Sequence, residues 1–403
     1  MKLQTLAMAM AMAAALATAA VSRAALAAAD QIVIGDIDDM SGVYADVLGA
    51  GGVEAINMAI ADFGGTVLGK KIVTLSADHQ NKPDIGASKF RQWADEAGLD
   101  LLLGGSNTGV NIAMAKVAAV KKVPLFVIGA GGASLTNEDC TPYTVHYVYD
   151  TTALANGTAT AIVNAGGKSW FYLTADYAFG TQLQNAASKV VEAHGGKNVG
   201  AVRVPLGAAD FSSFLLQAQA SGAQVLGLAN AGTDFSNSLK AANEFGITRT
   251  MKPAALLAFL TDIHSLGLKT AQGLYLTTGW YWDLNPDTRA YAKRYFAKMN
   301  RQPTMDQAGI YSATTTYLKA VKAVGSTDSD KVMAELKRMK INDMFASGGY
   351  LRADGVMIHD MYVMQVKSPQ ESKYPWDYYK MVKKMNGEEA FGPVTGLCPL
   401  ASK

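Results

Sequence analysis

Short apolar runs alternate with longer amphipathic stretches along most of the chain. Residues 32–36, 71–77, 99–103 and 124–128 read as buried strands, each a brief aliphatic run ending at a polar or glycine-containing turn. Between them, 47–63, 85–97 and 107–121 carry apolar positions at helical spacing, and the first two stop at Gly64-Gly65 and Gly98. The pattern then restarts. Helices over 152–165, 178–194, 211–221 and 234–245 alternate with strands over 170–174, 199–204 and 225–230, and two more apolar strands follow at 254–258 and 273–278. Strands separated by helices of this length pair in parallel, because returning to the same end of a sheet needs a crossover. The rest is helical over 287–299, 305–324 and 331–339. It closes with a β-rich stretch, 349–366, in which Asp354-Gly355 is a hairpin turn signal. The expected fold is α/β, with two successive doubly wound parallel-sheet lobes.

The N-terminus stands outside this pattern. Lys2 forms a short positive region, an apolar run rich in Ala and Met covers 6–21, and small residues continue to Asp30. Ala27-Ala28-Ala29 offers an A-x-A cleavage site, with Ala25-Leu26-Ala27 as second choice. The run falls short of the ~20 apolar residues of a membrane span, and Arg23 interrupts its end. No cysteine near the cleavage site is placed to take a lipid. Residues 1–29 are expected to be a cleaved signal peptide. The mature protein is then exported, and in a Gram-negative cell it works in the periplasm, where there is no ATP.

Composition narrows the classes further. The chain has 36 Lys and Arg against 34 Asp and Glu, and the two extra cations, Lys2 and Arg23, both lie in the leader. The mature surface is balanced, with no basic excess for nucleic acid or an anionic membrane. Cys140 and Cys398 are an even pair in an oxidising compartment, which favours one disulfide pinning the C-terminal tail to an early loop. Enzymatic signatures are missing. The five histidines (His79, His146, His194, His264 and His359) show no metal-ligand spacing. Gly105-Ser106-Asn107-Thr108-Gly109 is not a nucleophile elbow, and no Walker lysine follows a glycine-rich loop. The chain is expected not to be an enzyme and to need no cofactor.

Several segments carry a family resemblance in their order and spacing. They are Met40-Ser41-Gly42-Val43-Tyr44-Ala45, Asp78-His79-Gln80-Asn81-Lys82-Pro83-Asp84 and Gly104-Gly105-Ser106-Asn107-Thr108 after the first three strands. Asp176-Tyr177-Ala178-Phe179-Gly180, Asn230-Ala231-Gly232 and Tyr281-Trp282-Asp283-Leu284-Asn285-Pro286 follow in the second half. Together they resemble the type I periplasmic substrate-binding proteins of ABC importers, in the leucine/isoleucine/valine-binding branch, over nearly all of 30–399. The resemblance implies two lobes joined by a three-crossover hinge, with crossovers near 147–152, 277–283 and 354–360. Lobe 1 would comprise 30–148 plus 284–353 and lobe 2 149–278 plus 359–385, with 386–403 a tail returning to lobe 1. It also implies a monomer that clamps a small molecule and docks on a membrane permease. A periplasmic sensor would need the same cleft.

Open parallel sheets bind ligands beyond the carboxyl ends of their strands, where each quoted motif lies. Ser106 follows a Gly-Gly turn and is expected to cap the helix starting near Asn107, a place whose free N–H groups suit a carboxylate. Ala130-Gly131-Gly132 lets backbone N–H groups approach a ligand. The resemblance implies that Tyr44 and Tyr177 face the cleft from opposite lobes, stacking on a ligand from two sides. Phe259 and Trp280 would add walls, while Trp282 is assigned to packing. Asn230 belongs to a loop that resembles members taking aromatic acids or amides. In amino-acid binders of the family an acidic residue in this region holds the ligand ammonium; Asp234 either does so or caps its helix. The expected ligand is a small aromatic carboxylate of the benzoate or hydroxycinnamate type, with a branched-chain amino acid as the alternative.

Overall fold

The structure, a computed structural model, describes residues 31–401; the expected signal peptide and both cleavage sites lie outside the described residues. The first sheet contains β1 (Gln31–Asp38), β2 (Thr66–Val67), β3 (Lys70–Asp78), β4 (Leu99–Gly104), β5 (Leu125–Val127) and β6 (Thr144–His146), in the order β2-β3-β1-β4-β5-β6. Every pairing is parallel except that of the short edge strand β2. β1 is buried at every position after Gln31, as a strand covered on both faces must be. The covers are α1 (Gly49–Asp62), α2 (Pro83–Glu96) and α3 (Thr108–Lys121).

After α4 (Thr151–Asn164) the motif repeats with β7 (Ser169–Ala175), α5 (Ala178–Ala193), β8 (Lys197–Val204), α6 (Ser212–Ala220), β9 (Val225–Ala229), α7 (Gly232–Glu244) and β10 (Lys252–Ala255). This second sheet is wholly parallel, in the order β10-β9-β7-β8. In each sheet the first helix-connected strand has the second on one side and the third on the other. The strand order therefore reverses between β1 and β4 and between β7 and β9, and such reversals open a crevice at the strands' carboxyl ends.

α8 (Leu260–Leu266) and α9 (Leu268–Ala271) precede β11 (Tyr275–Thr278). β11 does not extend the second parallel sheet as the alternation suggests. It pairs antiparallel with β15 (Met361–Val366), which pairs antiparallel with β16 (Tyr379–Met385), because the chain comes back to this unit running the other way. Between them lie α10 (Pro286–Met299), α11 (Met305–Val324), α12 (Ser329–Leu336), and a small sheet of β12 (Ile341–Asn342), β13 (Ser347–Leu351) and β14 (Met357–Ile358). The Asp354-Gly355 turn does join β13 to β14: Gly355 takes φ +94° and Leu351 faces Met357. Cys140 and Cys398 form the disulfide, with Cα atoms 5.7 Å apart, tying the tail beyond α13 (Gly387–Phe391) to the loop before β6.

Candidate ligand-binding site

The carboxyl ends of β4, β5, β7 and β9 face one another across the crevice, around a narrow, partly open gap with room of about 10 Å³, little more than a water molecule. One side of it is polar and built almost entirely from backbone. At the end of β4, Asp38 accepts the Ser106 N–H at 2.7 Å with one oxygen and the Gly49 N–H at 2.8 Å with the other. His79 fixes the next atom group: its Nδ1 accepts the Asn81 N–H, so its Nε2 carries the proton it donates to the Ser106 carbonyl at 2.9 Å. A Cβ at Gly105 would sit 1.9 Å from the Asp38 carboxylate, so this approach needs glycine. With backbone donor and acceptor both held, the Ser106 side chain points from a rigid base. Its Oγ is buried and has no hydrogen-bond partner among the described residues.

The expected capping role of Ser106 belongs instead to Asn107. Helix α3 starts one residue later than the periodicity suggests, and Asn107 Oδ1 accepts the Val110 N–H at 3.2 Å. Asn107 takes φ +76°, a left-handed conformation that asparagine tolerates better than most residues. The shift by one residue releases the Ser106 hydroxyl from capping.

The turn after β5 completes this wall. Its carbonyls are all engaged: Gly129 accepts from Tyr149 Oη at 2.8 Å, Ala130 from His146 Nε2 at 2.6 Å and Gly131 from the Thr151 N–H at 2.8 Å. Burial pushes the His146 pKa down to about 4, so the ring is neutral and donates from Nε2. The N–H groups of Ala130 and Gly131 meet no acceptor among the described residues. Unpaired donors, with the Ser106 hydroxyl beside them, suit an anion or a carbonyl oxygen.

The opposite side is aromatic. Tyr44 and Tyr177 line it, and their hydroxyls lie 2.5 Å apart, a bond between the first-sheet and second-sheet units. Burial raises the pKa of both; Tyr177 raises that of Tyr44 further, while the hydrogen bond from Tyr44 only partly offsets the rise at Tyr177, so both phenols are neutral. Phe179 packs on Tyr177 with ring centroids 6.0 Å apart, and Phe259 meets Tyr149 edge-on at 6.4 Å. Among the described residues no acidic side chain lines the space.

Tyr44, Ser106, Asn107, Ala130, Gly131, Tyr177 and Phe259 are thus brought together, whereas Asn230, Asp234 and Trp280 lie outside the wall. Asn230 Nδ2 donates to the Asp234 carbonyl and to Ser238 Oγ, holding the first turns of α7. Asp234 does not cap α7, which begins two residues before it; its carboxylate accepts the Gly207 N–H at 2.9 Å, pinning a neighbouring loop. Trp280 Nε1 donates to the Met344 carbonyl, and its ring packs edge-on against Tyr291. Tyr281 and Trp282 both donate to the Trp376 carbonyl at 3.0 Å, so Trp282 is in packing as expected and Tyr281 joins it.

Sequence reasoning missed Thr108, Tyr149, Phe179 and Leu257 as wall residues. Phe179 stood two residues after Tyr177 in a quoted motif, and Tyr149 lay inside the first expected crossover. Leu257 was hidden in the strand expected over 254–258. β10 ends at Ala255, and the irregular residues after it turn Leu257 and Phe259 towards the crevice.

Two doubly wound sheets facing each other across a crevice of this kind define a solute-binding protein, and the comparisons place it. The chain belongs to the periplasmic binding protein family, whose sequence profile matches residues 31–373. It is 61% identical to a periplasmic binding protein from Burkholderia mallei, with TM-score 0.91, covering 92% of this chain and 99% of that one. A branched-chain amino acid ABC transporter periplasmic ligand-binding protein from Burkholderia xenovorans is 39% identical, with TM-score 0.82 and coverage of 92% and 100%. A solute-binding protein of an ABC transporter from Rhodopseudomonas palustris, in complex with p-hydroxybenzoic acid, shares the fold at 23% identity, with TM-score 0.81 and coverage of 90% and 99%. The protein is a periplasmic binding component of ABC transport, which binds a small molecule and delivers it to a permease, and not an enzyme.

Proposed function

We propose that the delivered solute is a small aromatic carboxylate. The observation carrying this reading is the asymmetry of the crevice. Unpaired donors at Ser106, Ala130 and Gly131 oppose tyrosine and phenylalanine rings, and among the described residues no carboxylate stands in the wall to receive an ammonium group. An amino acid would bury its ammonium unpaired here, which is costly; a benzoate-type ligand carries no such group. Asp234, whose charge bears on both Tyr44 and Tyr177, is committed to Gly207. The p-hydroxybenzoic acid complex of the Rhodopseudomonas palustris protein shows that this fold accommodates such ligands.

In this reading the ligand carboxylate meets Ser106 Oγ and the two backbone N–H groups, and the ring lies among Tyr44, Tyr149, Tyr177 and Phe259. The lobe limits and the hinge near 147–152, 277–283 and 354–360 are taken as the sequence suggests. Closure of the lobes buries the ligand and forms the face that a permease reads. Isothermal titration of the mature chain with benzoate and 4-hydroxybenzoate tests the reading; saturable one-to-one binding supports it, and no heat from either at millimolar concentration speaks against it. The sequence of a branched-chain amino acid relative at 39% identity supports the alternative, a leucine-type ligand, which would need an ammonium partner the wall does not contain.

A further inference from the structure

Two surface grooves lie side by side, sharing Ile112 and no residue of the crevice wall. The first, of about 560 Å³, runs between α2 and α3. Its floor is apolar, with Ala87, Ala113 and Val117, and its charged groups are all cations: Arg91, Lys116 and Lys121. Lys121 pairs with Asp95, whereas Arg91 and Lys116 meet no acid among the described residues. Val120 stands at the end of this groove and is the most exposed large apolar side chain among the described residues, at 79%. Ile112, Lys116 and Val120 are spaced four apart and form one ridge along α3. The second groove, of about 590 Å³, is bounded by the turn over 133–139, the start of α4, α5 and the C-terminal tail. Gln182 of α5 closes it across the two sheet units, accepting the Ser134 N–H at 3.0 Å and donating to Ser134 Oγ at 3.1 Å. Glu138 and Asp139 stand on it beside a single cation, Lys189, and neither acid has an ion-pair partner among the described residues. Its apolar lining includes Val190 and Leu397; the latter is 53% exposed and is held in place by the Cys140–Cys398 bond next to it.

We infer that this face joins two copies of the chain in a symmetric dimer, in place of the monomer that the family resemblance implies. A twofold interface brings the same patch of each copy against itself, so the patch must carry its own complement. Here it does. Rotation by half a turn about an axis near Ile112 lays the cationic groove of one copy over the acidic groove of the other, twice. Arg91 and Lys116 then find the acids they lack, and Glu138 and Asp139 find cations. The Val120 ridge of each copy enters the groove that holds Val190 and Leu397, which removes their exposed apolar surface from water. The disulfide gains a purpose beyond stability, because it fixes one wall of the receiving groove.

The test is sedimentation equilibrium of the mature chain from micromolar to near-millimolar concentration, without added solute, in low and high salt. The wild type is expected to dimerise, and more weakly in high salt, since exposed charges meet across the interface. Three variants probe the face: Val120→Asp, the double reversal Arg91→Glu with Lys116→Glu, and the double reversal Glu138→Lys with Asp139→Lys. All five side chains lie at the surface, so each variant should melt as the wild type does. Each should weaken dimerisation by about tenfold or more, the first by placing a charge in an apolar groove and the others by setting like charges together. An equal mixture of the two reversed variants should dimerise again, because every groove then meets its opposite. A wild type that stays monomeric at the highest concentration overturns the inference. So does a dimer that all three variants leave intact, or a pair of reversed variants that fails to recombine.

Discussion

Replacing Ser106 with alanine separates a binding role from a structural one. In the protein as it stands the Ser106 hydroxyl is buried without a partner among the described residues, while its backbone is held by Asp38 and His79, neither of which touches the side-chain oxygen. Ser106→Ala therefore removes an unpaired polar atom and no contact that supports the fold. A buried hydroxyl left unpaired costs about 1–3 kcal/mol, so the unliganded variant should be as stable as the wild type or slightly more so. With a carboxylate bound, the same oxygen makes a hydrogen bond to a charged group, worth about 1.5–3 kcal/mol. Its loss should weaken binding roughly 10- to 150-fold at 1.4 kcal/mol per factor of ten. Calorimetric titration with an aromatic acid measures the second number, and differential scanning calorimetry of the ligand-free protein measures the first. An unliganded melting temperature within about 2 °C of wild type, together with the affinity loss, is the expected pair. A variant that melts several degrees lower yet binds normally would refute the assignment of Ser106 to the ligand.

Four other outcomes follow from the same geometry. Gly232 takes φ +61°, and a Cβ there would lie 2.4 Å from the Val43 carbonyl oxygen across the crevice, so Gly232→Ala should oppose closure; small-angle scattering that still shows full ligand-induced compaction would contradict this. Asp234→Asn keeps the Gly207 contact and should leave aromatic-acid affinity within about threefold of wild type, as titration can check. Replacing Cys140 and Cys398 with serine should cost about 2–4 kcal/mol in chemical denaturation, an unchanged midpoint being the contrary result. Burial pushes the carboxyls of Asp150 and Asp262 up to about 7, so below that pH the folded state holds protons that the unfolded chain has released. Their contribution to stability then falls as pH rises through about 7, while the lowered His146, His264 and His359 act in the opposite sense over the same range, so the effect is read against a variant: the melting temperature of the wild type relative to Asp262→Asn should fall from about pH 5.5 to 7.5, and a constant difference would contradict the account.

The alternation of buried strands and amphipathic helices was readable because parallel sheets covered on both faces write themselves as apolar runs, as β1, β4 and β9 do. β16 was not readable: its interior positions are exposed and three of its residues are lysines, a charged edge strand without alternation. β6 was too short to show a period. In the site, the glycine-rich turns after β4 and β5 stood out, and Tyr44 and Tyr177 followed from their place after strands. The division of labour between Ser106 and Asn107 turns on a helix start one residue later than expected, finer than periodicity resolves. Which of two aspartate roles Asp234 takes was open in the sequence, and the answer, a loop contact to Gly207, involves a residue 27 positions away that no local pattern links to it.

The central claim is that the crevice takes an aromatic acid and rejects an amino acid, and a thermal-shift screen of the mature chain against both classes tests it most directly. A ligand at ~100 times its dissociation constant stabilises the folded state by about 2.7 kcal/mol, enough to raise the melting temperature by several degrees. The account predicts such a rise with benzoate-type or hydroxycinnamate-type acids and none with leucine, isoleucine or valine. Stabilisation by the branched-chain amino acids with no response to any aromatic acid would contradict it.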